Sequence, residues 1–174
     1  FGWFHDFCEA NHLRYYALGG TMLGAARHQG FIPWDDDIDV GMPREDYLRM
    51  EQLMQNVSGR YVLETPNTKN ADFFYPFSKL YDTQTTLVEN TRCKIKRGIY
   101  LDIFPLDGAG KTETEAVTYF KQVKARRNLL LTMTTGIRRG RSFFKNVAVC
   151  IMRCVPDCVL SRKKALLSLD QLCR

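Results

Sequence analysis

The sequence predicts an α+β fold, in which a mixed β-sheet core is flanked by helices and followed by a basic helical segment. Two patterns support this class. Short apolar runs bounded by turn residues lie between positions 14 and 104, which is typical of strands. Apolar residues recur at helical spacing over residues 1–12 and again from Thr112 onward. A chain of 174 residues suits one domain and can bury a hydrophobic core.

The first 56 residues alternate helices with short strands. A helix over residues 1–12 is followed by a strand over 14–18 that ends at a Gly-Gly pair. Thr21 is then the expected N-cap of a helix that runs to about His28. Pro43 opens the next long helix, because its fixed φ suits a first helical turn.

The remaining elements follow from short apolar runs and from turn residues. Further predicted strands are residues 38–42, 61–64, 74–82, 85–88 and 99–104, and we expect a core of about five strands. Pro105 and the Asp107-Gly108 pair end the last of them. The helical region that starts at Thr112 is interrupted near residues 136–140 and at Pro156. No internal repeat is visible.

Charge divides the chain into an acidic and a basic part. Residues 121–174 carry 13 Lys and Arg against 2 acids, a balance of +11, whereas residues 1–120 carry 12 against 17, a balance of −5. The basic part suits an anionic polymer, a lipid headgroup surface or a nucleotide, and a solvated helical face is the plain alternative. No run of about 20 apolar residues or secretory signal pattern is present. Because the chain opens at Phe1 inside a helical pattern, we expect it to be a fragment.

The six cysteines are Cys8, Cys93, Cys150, Cys154, Cys158 and Cys173. A chain of this length does not need a disulfide framework, and a zinc site would require tighter Cys pairs and a fourth ligand. Pro156 also interrupts the stripe that the cysteines at positions 150, 154 and 158 would form on a helix. Buried free thiols in a reducing, cytoplasmic setting are therefore the favoured interpretation.

The strongest functional signal is the acidic run Asp35-Asp36-Asp37-Ile38-Asp39. On a strand, Asp37 and Asp39 would point to the same side, and their repulsion would call for a cation. Oxygen ligands of this kind suit Mg²⁺ or Mn²⁺. The Gly19-Gly20 turn nearby offers backbone N–H groups that can hold a phosphate. The combination points to metal-dependent phosphoryl chemistry.

Two plainer explanations of the acidic run are weaker. A solvated loop is disfavoured because the run lies within apolar sequence. An EF-hand calcium loop starting at Asp35 would require Gly at position 6 and normally Glu at position 12, where this chain has Val40 and Asp46.

A further carboxylate, Asp102, lies inside an otherwise apolar strand run. A lone buried acid is costly unless something compensates it, so it is either a satisfied core residue or a third member of the site. In the second case it would face Asp37 and Asp39 from a neighbouring strand. Three such acids would hold two metal ions, or one ion while the third acid accepts a proton.

Two blocks of sequence carry a resemblance to a known family. The first joins GGTMLGAARH at residues 19–28 to GFIPWDDDIDVGMPREDY at residues 30–47, and the second is RGIYLDIFPLD at residues 97–107. Together with residues 77–80 and 82–86, they resemble the signature blocks of the LicD family over about residues 1–110. The basic tail resembles the family only in general character, and the usual C-terminal portion of the family is expected to be missing.

The resemblance implies a nucleotidyltransferase-like fold. It also implies transfer of phosphocholine, or a related phospho-alcohol, from a CDP-activated donor to a glycan or glycolipid acceptor such as lipopolysaccharide or teichoic acid. Carried over by position, Asp37 and Asp39 match the metal-binding pair, Asp102 matches the third carboxylate, and Thr21 with the turn before it matches the phosphate-binding element.

Further side chains are assigned from their sequence context. Arg27 and His28 lie beyond the Gly-Gly turn and are candidates to contact donor phosphates, with a surface pair as the alternative. Lys79 is unusual in an apolar strand, which favours pairing with phosphate or with the acids. Asp36, together with Asp35, is a candidate helper for the donor or a second metal, with a cap of the turn as the alternative. Trp34 is interpreted as core rather than as part of a choline cage.

The sequence therefore predicts a cytoplasmic transferase dependent on Mg²⁺ or Mn²⁺, placed at the inner face of the membrane if its basic segment, residues 121–174, makes peripheral contact. Residues 1–110 would form the catalytic core, and residues 111–174 would form a basic helical segment of the same domain. Nucleic acid is not expected as a partner. Two alternatives remain: a nucleotidyltransferase that adds NMP to a small molecule or protein, and a non-catalytic nucleotide- or glycan-binding module.

Overall fold

The computed structural model describes residues 1–70, 72–90, 94–135, 140, 142–155 and 161–174. Within these residues the chain forms helices and a mixed sheet, so the predicted α+β class is confirmed. The elements in chain order are α1 (Gly2–Ala10), β1 (Tyr16–Ala17), α2 (Gly19–His28), β2 (Asp39–Pro43), α3 (Arg44–Met54), β3 (Tyr61–Glu64), β4 (Ser78–Asp82), β5 (Leu87–Asn90), β6 (Lys94–Arg97), β7 (Tyr100–Leu106), α4 (Glu113–Thr134), α5 (Phe143–Cys154) and α6 (Arg162–Cys173).

Five of the strands form one sheet in the order β1-β2-β7-β4-β3, and β5 pairs with β6 in a separate two-stranded sheet. Strands β2 and β7 are parallel, whereas the other three neighbouring pairs of the large sheet are antiparallel. The central parallel pair joins two segments that are far apart in sequence. This pairing positions the site described below.

Several strand boundaries differ from those predicted. Strand β7 continues through Pro105, which the sequence had suggested as its end. Pro105 pairs with Met42 of β2, but the register with β4 reaches only to Ile103, so the missing N–H of the proline is tolerated. Strand β6 was not predicted, because its sequence Lys-Ile-Lys-Arg holds a single apolar residue. The strand expected over residues 74–82 begins only at Ser78.

The chain divides into two compact units. The first unit comprises Phe1–Thr65, Phe77–Leu87 and Arg97–Asp107, and it contains the whole five-stranded sheet. Its core packs α1 and α3 against the sheet through buried apolar residues: Phe4, Cys8, Leu13, Val40, Met42, Tyr47, Met50, Met54, Leu80, Leu101 and Ile103. Helix α1 contributes Phe4 and Cys8, one turn apart, as its helical spacing predicts.

The second unit comprises Pro66–Pro76, Val88–Lys96 and Gly108–Arg174. Helix α4 begins as the sequence predicts, because Thr112 and Glu115 form a reciprocal capping box. The core of this second unit joins α4 to α6 through Leu130, Leu166 and Leu169. The proposed division into a 1–110 catalytic core and a 111–174 helical segment stays a prediction.

The cysteines are only partly as expected. Cys8, Cys150, Cys154 and Cys173 are free thiols, whereas Cys93 and Cys158 lie outside the described residues, as do residues 136–139 and Pro156. Cys8 is buried, and burial raises the pKa of its thiol to about 12. The predicted burial is wrong for Cys150 and Cys154, which are exposed. Helix α5 contacts α4 and buries Val149, so both thiols lie on a different face of the helix.

None of the described helices is both long enough and apolar enough to cross a bilayer.

Candidate functional site

The central parallel strand pair places two carboxylates side by side. Asp39 is the first residue of β2 and is the register partner of Asp102 on β7. The N–H of Asp102 donates a 3.0 Å hydrogen bond to the carbonyl of Ile38, which fixes the register at this point. The other four residue pairs of this register carry no polar side chain, so the two acids form its one polar pair, at the start of β2.

Asp37 completes a cluster of three. It lies two residues before β2, in the irregular segment that leads into the strand, so the predicted strand over residues 38–42 starts one residue later than expected. One carboxylate oxygen from each of Asp37, Asp39 and Asp102 lies within 4.8 Å of the others. The expected convergence of the three acids is therefore present.

The electrostatics of the cluster favour added positive charge. The pKa of Asp102 is raised to about 6, mainly by burial; Lys79 opposes this shift, and the neighbouring Asp39 and Asp37 contribute to it. Burial also raises the pKa values of Asp37 and Asp39, with contributions from neighbouring acids that include Asp35. Raised pKa values mean that the negative form of each carboxyl is destabilised in this arrangement. A cation placed among the three oxygens would stabilise the negative forms and lower these pKa values.

Lys79 supplies one positive charge to this cluster. It is the register partner of Asp102 on the other side of β7, and its Nζ lies 2.9 Å from Asp102 Oδ1. Only 2 % of the lysine is exposed. The ammonium also lies 3.3 Å from the centroid of the Tyr100 ring and 5.7 Å from that of Phe77. Of the two pairings predicted for Lys79, the one with the acids is observed, and the one with phosphate stays a prediction.

The Gly-Gly segment forms the first turn of α2 rather than a turn that precedes it. Gly19 has a φ of +49°, which favours glycine. The predicted N-cap at Thr21 is wrong, because Leu18 occupies that position and makes no side-chain cap. Instead, Thr21 Oγ1 accepts a 2.9 Å hydrogen bond from the N–H of Asp39. Thr21 thus ties the start of α2 to the start of β2.

Asp35 lies against the same end of α2. A Cβ placed on Gly20 would be 2.0 Å from Asp35 Oδ2, and one on Gly19 would be 3.5 Å from Asp39 Oδ2. The absence of a side chain at Gly20 therefore admits the Asp35 carboxylate next to a helix N-terminus, where negative charge is favoured. Asp36 is exposed and raises the pKa of Asp37 by charge repulsion.

The other predicted contacts lie elsewhere on this unit. Arg27 and His28 are exposed in the last turn of α2, and the helical rise places them about 9 Å along the axis from Thr21. Trp34 is 83 % exposed and meets the ring of His28 edge to face at 6.5 Å, so its interpretation as core is wrong. It belongs to a surface loop, and the burial of the acids comes from β2 and β7 instead.

The alternative of a calcium loop over residues 35–46 does not fit. The segment continues as strand β2 and then enters α3 at Arg44, so it does not wrap around a single point. Asp46, the would-be final ligand, is buried in α3 and accepts a 2.6 Å hydrogen bond from Arg14 Nε.

Sequence reasoning missed three contacts of the site. They are the hydrogen bond from the N–H of Asp39 to the hydroxyl of Thr21, the close approach of the Asp35 carboxylate to Gly20, and the cation–π contact between Lys79 and the ring of Tyr100. Only the last had a readable signal. Tyr100 and Asp102 are two residues apart on a strand and so share a face. The other two contacts depend on how α2 packs against the strand, which no local pattern specifies.

The donor set fits a hard divalent cation. The three converging groups are carboxylates, and among the residues that the structure describes no softer ligand joins them. Oxygen ligands of this type are those that Mg²⁺ and Mn²⁺ prefer.

A family model described as "LicD/FKTN/FKRP, nucleotidyltransferase domain" matches residues 12–140. This range contains Asp37, Asp39, Asp102 and Lys79. No solved structure matches the chain, so the nucleotidyltransferase-like fold is supported by the family description and not by a structural neighbour.

Curated relatives are similar to stretches of the chain. The lipopolysaccharide cholinephosphotransferase LicD of Haemophilus influenzae is 38 % identical over 107 residues, which are 61 % of this chain and 40 % of that protein. The ribitol 5-phosphate transferase FKRP of Homo sapiens, like that of Mus musculus, is 48 % identical over 56 residues, which are 32 % of this chain and 11 % of FKRP. The chain thus spans less than half the length of these relatives.

The family match covers well over half of the chain, and it includes every carboxylate of the cluster. The chain therefore belongs to the LicD/FKTN/FKRP nucleotidyltransferase-domain family.

Proposed function

We propose that this chain is the catalytic core of a transferase that moves phosphocholine, or a related phospho-alcohol, from a CDP-activated donor to a hydroxyl of a cell-surface glycan. The observation that carries the proposal is the convergence of Asp37, Asp39 and Asp102 within 4.8 Å in a chain of this family. The names of two relatives, a lipopolysaccharide cholinephosphotransferase and a ribitol 5-phosphate transferase, support transfer of a phospho-alcohol to a glycan. Lipopolysaccharide and teichoic acid are the acceptor types that we consider.

Asp37 and Asp39 would hold Mg²⁺ or Mn²⁺, with Asp102 either as a third ligand or as the base that accepts the hydroxyl proton. When bound, such an ion supplies positive charge that offsets the negative charge on the transferring phosphoryl group and on the leaving group. The start of α2, at Gly19, Gly20 and Thr21, adds backbone N–H groups and the positive end of a helix dipole.

The reaction would form one bond and break one bond at phosphorus. The acceptor hydroxyl oxygen bonds to the phosphorus of the phospho-alcohol, the bond from that phosphorus to the CMP oxygen breaks, and CMP leaves. The hydroxyl proton needs an acceptor. Asp102 is the candidate base within the cluster, because its raised pKa of about 6 allows it to take a proton near neutral pH.

The experiment that tests this function uses CDP-choline with Mg²⁺ and a lipopolysaccharide acceptor, and identifies the nucleotide product. We expect CMP and choline-modified acceptor, with no product in EDTA or with the Asp37→Ala variant. Release of pyrophosphate from a nucleoside triphosphate would instead support NMP transfer. Metal-dependent binding of CDP-choline without CMP release would support a non-catalytic module.

A membrane contact through the basic 121–174 segment is part of the same proposal, and α5 is its best candidate. One face of α5 carries exposed apolar side chains: Phe143, Phe144, Val147 and Ile151. Sequence positions 137–154 contain five Lys and Arg and no acid. A helix with an exposed apolar stripe in a basic setting is suited to an anionic lipid surface.

Vesicle co-sedimentation tests the membrane contact. We expect binding to vesicles that contain phosphatidylglycerol, weaker binding at high salt, and about a tenfold loss in a Phe144→Ser/Ile151→Ser variant. Phe120→Ser on α4 is the matched control, since this phenylalanine is also exposed. Equal binding of the α5 variant and the unaltered protein would exclude α5 as the contact. A cytoplasmic location stays a prediction.

A further inference from the structure

The buried ammonium of Lys79 is the feature from which a further inference follows. A lysine with 2 % exposure is costly unless its charge is paired. Its Nζ lies 2.9 Å from Oδ1 of Asp102, which is itself only 6 % exposed. The pair lies at matched register positions on β4 and β7, so the backbone holds both side chains in place.

Aromatic rings fix the position of this ammonium. The Tyr100 ring centroid lies 3.3 Å from Nζ, and the Phe77 centroid lies 5.7 Å away. Phe77 in turn packs against Phe104, with ring centroids 4.2 Å apart. An ammonium that is desolvated over a ring face gains cation–π stabilisation. Lys79 is thereby held beside Asp102 and is not a mobile surface group that swings toward a ligand.

The charge of Lys79 limits how much further positive charge the acid cluster needs from metal ions. Asp37, Asp39 and Asp102 together bring three negative charges when ionised, and Lys79 brings one positive charge. The remaining balance of −2 is that of one divalent cation. In two-metal sites the ions lie about 3.5–4 Å apart and share carboxylates. Here the ammonium already lies at one oxygen of Asp102, where a second ion would need a ligand.

We propose that Lys79 is a resident cation of the cluster, which limits the site to one divalent ion and keeps the three carboxylates together when no metal is bound. The inference rests on the proposed function, because it presumes that the acids hold a metal. Asp35 is partly exposed and Asp36 is exposed, so water compensates their charges more readily than that of Asp102. Lys79 is accordingly a positioning residue.

The test is a Lys79→Met variant, in which an apolar chain replaces the charged one. Binding of Mn²⁺ is measured by electron paramagnetic resonance for stoichiometry and by calorimetry for affinity, and thermal unfolding is followed with and without Mg²⁺. We expect the unaltered protein to bind one Mn²⁺. The variant is expected to have a lower Tm without metal, to recover most of that loss with Mg²⁺, and to bind a second Mn²⁺ or bind the first about tenfold more tightly.

Arg44→Met is the matched control. Arg44 pairs with Asp107 near the other end of β7 through hydrogen bonds of 2.7 and 2.6 Å, and both side chains are largely buried. Losing this pair should also lower Tm, but Mg²⁺ should not restore it and Mn²⁺ binding should not change. Should Lys79→Met fail to fold, the Lys79→Met/Asp102→Asn double variant removes both charges, and we expect it to fold and to bind Mn²⁺ more weakly than the unaltered protein.

The outcomes separate this inference from the proposed function. Two Mn²⁺ ions in the unaltered protein, or identical Mn²⁺ binding in Lys79→Met, would overturn the role of Lys79 while leaving a metal-dependent transferase intact. Tight Mn²⁺ binding by the double variant would also overturn it. Absence of Mn²⁺ binding in both the unaltered protein and Lys79→Met would overturn the metal site itself, and the inference with it. Binding by Lys79→Met alone would also overturn the inference, because the unaltered site would then hold no divalent ion beside Lys79, and it would contradict metal dependence.

Discussion

Asp39 and Asp102 are direct partners on adjacent parallel strands, although 63 positions separate them in the sequence. Parallel pairing of β2 and β7 thus brings the acidic loop and the apolar strand run to one point of the sheet. Neither acid could form the cluster alone, because each segment supplies only part of the ligand set. The sheet topology is therefore what unites the two sequence blocks shared with the family.

Alanine at Asp37 or Asp39 is expected to abolish turnover of the CDP donor, with CMP release below about 1 % of the unaltered rate, because each change removes an oxygen ligand. The fold should survive, since both side chains have raised pKa values and their removal relieves repulsion. CMP release and thermal unfolding are the measurements. Asp6→Ala, at an exposed position on α1, is the matched control. Full activity in either site variant would refute the assignment.

Thr21→Val is expected to lower the free energy of unfolding by about 1 to 3 kcal/mol, because the N–H of Asp39 loses the hydroxyl oxygen that accepts its hydrogen bond. Asp39 should also become less well placed, so the affinity for Mn²⁺ should fall. Urea unfolding and calorimetry measure the two effects. Thr21→Ser keeps the oxygen and should restore both values. If valine and serine behave alike, the hydroxyl does not position Asp39.

Period-two patterning and burial logic correctly indicated that Asp37, Asp39 and Asp102 would converge. For Asp102 this was accessible because a lone acid in an apolar run needs compensation. Asp37 lies before β2, so its place in the cluster comes from the irregular segment that leads into the strand and not from strand alternation. Thr21 shows the limit of such reasoning. Its preference for N-cap positions is real, but a contact with Asp39, 18 residues away, determines its role.

Trp34 and the Lys-Ile-Lys-Arg strand β6 show the same limit in other ways. Apolar flanking residues suggested that the acidic run was embedded in the core, yet Trp34 is 83 % exposed on a loop. Strand β6 exists because β5 pairs with it, and its own residues have little strand propensity. In each case tertiary context overrides a local preference.

Gly24→Ala is expected to destabilise the protein by about 1 to 3 kcal/mol. A Cβ at this position would lie 2.5 Å from the carbonyl oxygen of Gly30 and 3.0 Å from the nitrogen of Ile32, and both are backbone atoms. The loop that leads to the acidic run would have to move away from α2, so metal affinity should fall as well. Urea unfolding and Mn²⁺ calorimetry provide the measurements.

Gly30→Ala offers the control for that change, because a Cβ there would meet nothing within 4 Å. It should alter the free energy of unfolding by no more than about 0.5 kcal/mol. Equal effects of the two substitutions would mean that backbone crowding at Gly24 is not what fixes the loop.

The stability of the metal-free protein is expected to fall as pH rises from about 4 to about 6. Burial raises the pKa of Asp102 from 3.8 to about 6, so between these values the folded state binds a proton that the unfolded state has released. The stabilisation from this proton is fully present below the unfolded pKa and is lost as pH rises through the folded pKa. Its size is roughly 1 to 3 kcal/mol.

Urea unfolding in EDTA across this pH range tests the expectation against an Asp102→Asn variant. Asparagine cannot ionise, so the variant should lack this part of the slope, and the difference between the two curves isolates Asp102 from other titrating groups. Asp37 and Asp39 shift in the same direction and remain in both proteins. Added Mg²⁺ should flatten the curve of the unaltered protein, because the ion favours ionised carboxylates. Parallel curves in EDTA would show that the pKa of Asp102 is the same in the folded and the unfolded protein, which would contradict the prediction.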